Sequence, residues 1–280
     1  MKNIGIKLAA VTFLALGSFG SSTAFAGKGG SAAAIEAAVA SSSTDAIIAE
    51  VERTESLLCD ECIQTMTNLT EDSRFAVREV AAWWFARRPA LRDMLASQFV
   101  DDLPHGDATK VRNAADFLGR TRMFTALPGL RTAIHRGDLN ADAKLALVRA
   151  VGFMAHTAGN DVLTTAMADG DAGVRAAAVT AWRDMLGQKT AQPVVALLGD
   201  PDANVRAHAA GVIGGLTEQG GRAALEGLVV SDPDPTVRRN AAWALGQLGN
   251  GASRAVLLTA TTDPSSIVRG VARAALAGLH

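Results

Sequence analysis

From Thr70 onward, apolar and polar positions alternate in a repeating order. The pattern D-x-x-V-R-x-x-A-A-x-x-L-G recurs, most clearly in DANVRAHAAGVIGGL from Asp202, DPTVRRNAAWALGQLG from Asp234 and DAGVRAAAVTAWRDML from Asp171. A fourth copy, PSSIVRGVARAALAGL, starts at Pro264, and weaker copies start at Asp72, Asp107 and Asp142. The anchor positions are Val77, Val111, Ala143, Val174, Val205, Val237 and Val268, with gaps of 34, 32, 31, 31, 32 and 31. A near-constant period of that size predicts a solenoid of stacked units.

Within each unit, apolar residues stand at offsets 0, 4, 8 and 11 from the anchor, which is helical spacing. Asp-Pro turns such as Asp200-Pro201-Asp202 precede that helix, with Asp suited to capping free N–H groups and Pro to a first helical turn. Shorter runs (192–198, 222–230, 254–261) predict a partner helix in each unit. No stretch alternates like a strand. The expected fold is all-α, an α-α superhelix of about seven helical hairpins over residues 44–280, with residues 44–69 as one N-terminal capping helix.

The repeat resembles the short HEAT-like unit associated with phycobiliprotein lyases. That family holds lyase subunits, a di-iron protein hydroxylase and many interaction scaffolds. The resemblance implies an armadillo-type α solenoid whose second helices line a concave face. The hydroxylase branch holds iron with His-Glu pairs. Here His105, His135, His156 and His208 are followed by Gly106, Arg136, Thr157 and Ala209, and His280 is terminal, so that iron set is absent from the sequence. Lyase-like activity is a further alternative, set against an export signal in this chain.

That signal is the N-terminal segment. Lys2 and Lys7 precede an apolar run, Leu8 to Phe19, and Ala24-Phe25-Ala26 forms an A-x-A cleavage site before Gly27. Residues 1–26 read as a cleaved signal peptide, which implies a periplasmic or secreted protein with no membrane anchor after cleavage. Residues 27–43 are Gly/Ala/Ser-rich and read as a flexible lead-in.

Charge and composition narrow the partners. The 27 Lys and Arg against 28 Asp and Glu argue against nucleic acid held by bulk positive charge. Two cysteines exclude a disulfide-rich scaffold. Cys59 and Cys62 fall in the stretch read as a long helix, where i,i+3 spacing suits a disulfide; buried thiols, a redox pair and a metal site are the alternatives. A c-type haem site would need His at position 63, where Ile63 stands. No catalytic motif, metal site or cofactor fingerprint is found, so catalytic residues, metal and cofactor are all assigned as none.

Two features suggest a surface. Arg78, Arg112, Arg175, Arg206, Arg238 and Arg269 recur alongside Asp72, Asp107, Asp171, Asp202, Asp234 and Asp263, which reads as an internal ladder or as a row of cations for an anionic ligand. Offset 6 points away from the core stripe, and it holds Trp83, Arg149 and Trp243, whereas Trp182 at offset 8 replaces a core residue. Trp83 and Trp243, with Arg149, Arg183 and Arg239, are therefore candidate contacts for a protein or peptide; alternatively, each tryptophan lies flat on its own helix or is covered by the N-terminal helix. The functional expectation is a non-catalytic scaffold; the competing one is a redox or enzyme-accessory protein using Cys59 and Cys62.

Overall fold

The computed structural model describes residues 30–279 apart from Leu58. The expected signal peptide lies outside the described residues. The described chain forms helices α1 (Ala32–Ala40), α2 (Thr44–Arg53), α3 (Cys62–Leu69), α4 (Phe75–Ala86), α5 (Pro89–His105), α6 (Ala108–Arg120), α7 (Leu127–Ile134) and α8 (Ala141–Met154). They continue as α9 (Asn160–Ala166), α10 (Ala172–Asp184), a 3₁₀ segment Gln192–Gly199, α11 (Ala203–Gly215), α12 (Arg222–Ser231), α13 (Pro235–Leu248), α14 (Arg254–Ala260) and α15 (Ser266–Ala277). Successive hairpins stack in two layers. Second helices α2, α4, α6, α8, α10, α11, α13 and α15 form one row, and first helices such as α5, α7 and α9 form the other.

All seven anchors are buried, each helix driving its apolar stripe between the layers. Caps follow the sequence signals. The Asp171 and Asp202 carboxylates accept from the backbone N–H of Val174 and Val205, and Asp107 does so from Lys110.

Two expectations fail at the N-terminal end. Residues 44–69 are not one helix. Thr54 ends α2, with its hydroxyl on the Val51 carbonyl. The Arg88 guanidinium then takes the carbonyls of Thr54, Glu55 and Leu57 at 2.9–3.0 Å, acceptors that a continuous helix would have used itself. The supposed lead-in also contains α1, capped by Ser31 and seated through Ile35 and Ala38. Thus α1 and α2 form one more hairpin, with Ile47 buried in the anchor position, and eight hairpins stack among the described residues, close to the expected number of about seven.

The two layers differ in closeness. Second helices meet backbone to backbone: a β-carbon on Gly119, Gly214 or Gly246 would lie 2.3 to 2.8 Å from the Cα of Ala150, Ala244 or Ala275 in the next unit. First helices meet through side chains, as where Leu103 fills the space above Gly129. The more tightly spaced row must form the inner, concave side of the stack.

Candidate binding groove on the concave face

The Arg–Asp series is an internal ladder, with pairings different from those expected. The turns before α10, α11 and α13 carry two aspartates each. The one three residues before the anchor (Asp171, Asp202, Asp234) caps its own helix. The one five before it takes the cation of the preceding unit. The rungs are Lys144–Asp169 at 2.6 Å, Arg175–Asp200 at 2.8 Å, Arg206–Asp232 at 2.7 Å and Arg238–Asp263 at 2.8 Å. Each arginine also donates through Nη1 to two carbonyls of its own turn. These bonds tie three segments with one side chain, and they hold the Asp200 and Asp263 carboxyls below the usual carboxylate range. Burial pushes Asp169 up, but hydrogen bonds from Lys144 and the Asp171 N–H leave it lowered overall.

The ladder is broken at unit two, where Gly106 occupies the turn. Arg78 instead reaches Asp116, in the middle of α6, through Nε and Nη2 at 3.0 and 2.7 Å. Arg149 meets the same carboxylate at 3.1 and 2.8 Å and stacks over Phe75, 4.4 Å from the ring centre. Arg149, expected as a free concave contact, is therefore chiefly a structural partner that leaves only part of its guanidinium at the surface. Asp116 was not singled out from the sequence; its signal is a carboxylate at offset 5, where Ala82, Val148, Val179, Ala210 and Ala242 are buried in other units.

The remaining candidates scatter along the concave row. Trp83 is half-buried between α2 and α4, with Arg87 stacked 3.8 Å over its ring. Trp243 is 39% exposed and Trp182 4%, in the expected order. The Trp243 ring edge rests on α11, where a Gly214 β-carbon would be 2.7 Å away. Arg183 pairs with its neighbour Asp184, and Arg239 donates to Asn240. Neither stacks on a tryptophan among the described residues. Trp83 and Trp243 stand five hairpins apart, roughly 50 Å at about 10 Å per helix contact, and do not form one site.

The structure gathers a different set. Between α8, α10 and α11 lies a cavity of about 510 Å³, lined by Val148, Gly152, Phe153, Ala177, Thr180 and His208 among others, with Arg149 and Asp184 at its edge. Thr180 Oγ1 and His208 Nδ1 are 3.0 Å apart across it. The cavity has a sequence cause. Offset 9 is Gly152, Arg183, Gly214 and Gly246 in successive units. At Gly152 the fit loosens, with Ala181 at 3.9 Å, and at Arg183 no glycine permits close approach. The row opens there. Thr180 was legible as an offset-6 residue; Phe153 and His208 were not, because only the widened spacing exposes them.

Cys59 and Cys62 form a disulfide with Cα atoms 5.2 Å apart. The pair lies at the start of α3, not within a helix: Cys62 is the first helical residue and fully buried, while Cys59 is half-exposed in the preceding turn. Among the described residues, no group of three His, Cys, Asp or Glu is placed to hold a metal ion.

Residues 191–277 match the family model described as HEAT repeats. The fold is that of a HEAT-like solenoid. The chain is similar to the Escherichia coli protein YibA, with a TM-score of 0.55, 16% identity, and coverage of 87% of this chain and 91% of that one. It also aligns with a designed armadillo repeat protein (TM-score 0.44, 16% identity, 78% of this chain and 100% of that one). Human deoxyhypusine hydroxylase in complex with glycerol aligns with a TM-score of 0.39, 18% identity, and coverage of 88% and 96%. Among curated proteins no sequence match is found. At these identities the resemblance concerns fold and carries no activity.

Proposed function

We propose that this HEAT-like protein is an exported, non-catalytic scaffold that holds a protein or peptide segment in its concave groove. The observation that carries the reading is the apolar cavity between α8, α10 and α11, placed on the inner face by a local lapse in glycine-mediated stacking. Its small floor residues and Phe153 wall suit bulky apolar side chains of a partner, and Thr180, His208 and Arg149 offer polar contacts at the rim. Export rests on the Ala24-Phe25-Ala26 site.

A photo-crosslinking residue at Thr180, with a control at exposed Ala223 on α12, tests the groove in the intact protein. A discrete adduct is expected from Thr180 and none from Ala223. The Thr180 adduct should vanish when Ala177→Arg fills the cavity. Equal labelling at both sites, or an adduct indifferent to Ala177→Arg, removes the groove from consideration. Intact mass of the exported protein tests the signal: the chain should begin at Gly27.

A second reading draws on the cysteines. Their place at a helix start, where backbone N–H groups favour a thiolate, is one that redox pairs use. The exposed Asp60 and Glu61 between them act in the opposite sense. Thiol titration under graded reductant separates a readily cycled pair from a locked bridge.

A further inference from the structure

The ladder leaves one rung open. Arg269 of α15 donates through Nη1 to the carbonyls of Asp263 and Pro264 at 2.7 and 2.9 Å, the same two bonds that preset Arg175, Arg206 and Arg238. In those three, Nε and Nη2 then clasp an aspartate of the following hairpin at 2.7–3.1 Å. In Arg269 these two nitrogens have no partner among the described residues, although the side chain is already half-buried. Four residues on, exposed Arg273 occupies offset 5, where Ala210 and Ala242 are buried by stacking. In the other layer, Leu258 is 54% exposed. It occupies the place of Glu226, which reaches the next hairpin to accept from Ser253. The last described hairpin thus presents a preset guanidinium, a second arginine and an apolar side chain, all in positions that elsewhere touch a following unit.

The opposite end carries the complement. Between Gly30 and Glu71 stand eight Asp or Glu and one cation, Arg53. From Asn250 to Leu279 stand three arginines and one acid, Asp263, which Arg238 already holds. The 178 residues between are balanced, 20 cations against 19 acids, so the charge is separated along the solenoid axis. On the first hairpin, Ser42 stands where later turns have the ladder aspartate, and exposed Asp45 follows in the first turn of α2. Its companion α1 exposes Glu36 with Ala33, Ala37 and Val39, small apolar residues able to meet a leucine.

We propose that the C-terminal end binds the N-terminal hairpin of a second copy, continuing the solenoid head to tail. The second copy's α2 would stack on α15 and its α1 on α14, with Asp45 and Glu36 supplying carboxylates to Arg269 and Arg273. Such a contact is heterologous: each molecule offers one end of each kind, so association gives open chains or a ring. Its charge pairs make it weaken with salt. The proposal does not depend on the concave groove.

Sedimentation of the purified protein over a range of concentrations tests it. The weight-average mass should rise with concentration at low ionic strength, and the association should weaken at least several-fold at high ionic strength. Arg269→Glu with Arg273→Glu blocks one end only; Asp45→Arg with Glu36→Arg blocks the other. Each double variant should sediment as a monomer, and an equimolar mixture should associate again, because the intact end of one variant meets the intact end of the other and the two charge-reversed ends are themselves complementary. Arg269→Gln, a milder change, should weaken self-association at least tenfold while circular dichroism confirms the fold. Wild-type protein that stays monomeric at every concentration overturns the proposal. So does self-association that the end variants leave intact, or a variant mixture that remains monomeric.

Discussion

Replacing Asp116 is the sharpest perturbation the fold offers. Its side chain is 1% exposed and accepts from two arginines, one of them, Arg78, 3% exposed. Removing the carboxylate leaves the Arg78 guanidinium buried with only its Nη1 carbonyl bonds, and leaves Arg149 over Phe75 without an anion. Breaking a buried ion pair from one side costs about 3–5 kcal/mol. Asp116→Asn keeps one acceptor oxygen and falls near the lower figure; Asp116→Ala falls near the upper. For a chain of this size each kcal/mol moves the midpoint by about 2–4 °C, so Asp116→Asn should lower Tm by roughly 6–12 °C. Thermal melts followed by circular dichroism provide the measurement. The triple variant Asp116→Leu, Arg78→Met, Arg149→Met is the control, since an apolar replacement of a whole buried triad is often neutral or better. A Tm within about 2 °C of wild type for Asp116→Asn would mean that the buried triad does not hold the fold, and would leave Arg78 and Arg149 as ligand-binding cations.

The ladder makes stability acid-sensitive. Arginine partners depress the folded-state pKa of Asp200 and Asp263, so their contribution is complete above the ordinary carboxylate range and fades as pH falls below about 4; calorimetry should find Tm flat between about pH 5 and 7 and falling steeply below 4, and a flat profile down to pH 2 contradicts the ladder. On single-tryptophan variants, acrylamide should quench Trp243 readily and Trp182 poorly, given 39% against 4% exposure; equal quenching means the helix register is wrong. The Cys59→Ala, Cys62→Ala double variant should stay folded and lose on the order of 1–2 kcal/mol, because the loop closed is only three residues apart in sequence; a collapse of the whole solenoid in denaturant titration would show that the bridge holds more than the turn before α3.

The period, the all-α class, the capping turns and the inward-facing tryptophan are all legible in the order of amino acids. Each of these follows from short-range rules: 3.6 residues per turn, an Asp or Ser before a helix, and an apolar stripe wide enough to bury. The helix before Thr44 is not legible in its low-complexity run, because it rests on alanine propensity and on two seated residues, Ile35 and Ala38, too little pattern to mark a helical stripe. The break after Arg53 was decided more than thirty residues away, by Arg88 capturing the carbonyls a continuous helix needs. Ladder partners were also a tertiary decision. Both aspartates of a turn look alike in sequence, and only stacking shows that the one at offset −5 faces the neighbouring arginine. The groove depends on the same physics. Gly and Ala at offsets 9 and 7 let backbones touch, and where Arg183 interrupts that series the helices separate and expose Phe153 and His208. A repeat sequence specifies each unit nearly alone; the distance between units, and hence every surface shared by two of them, is set only when they pack.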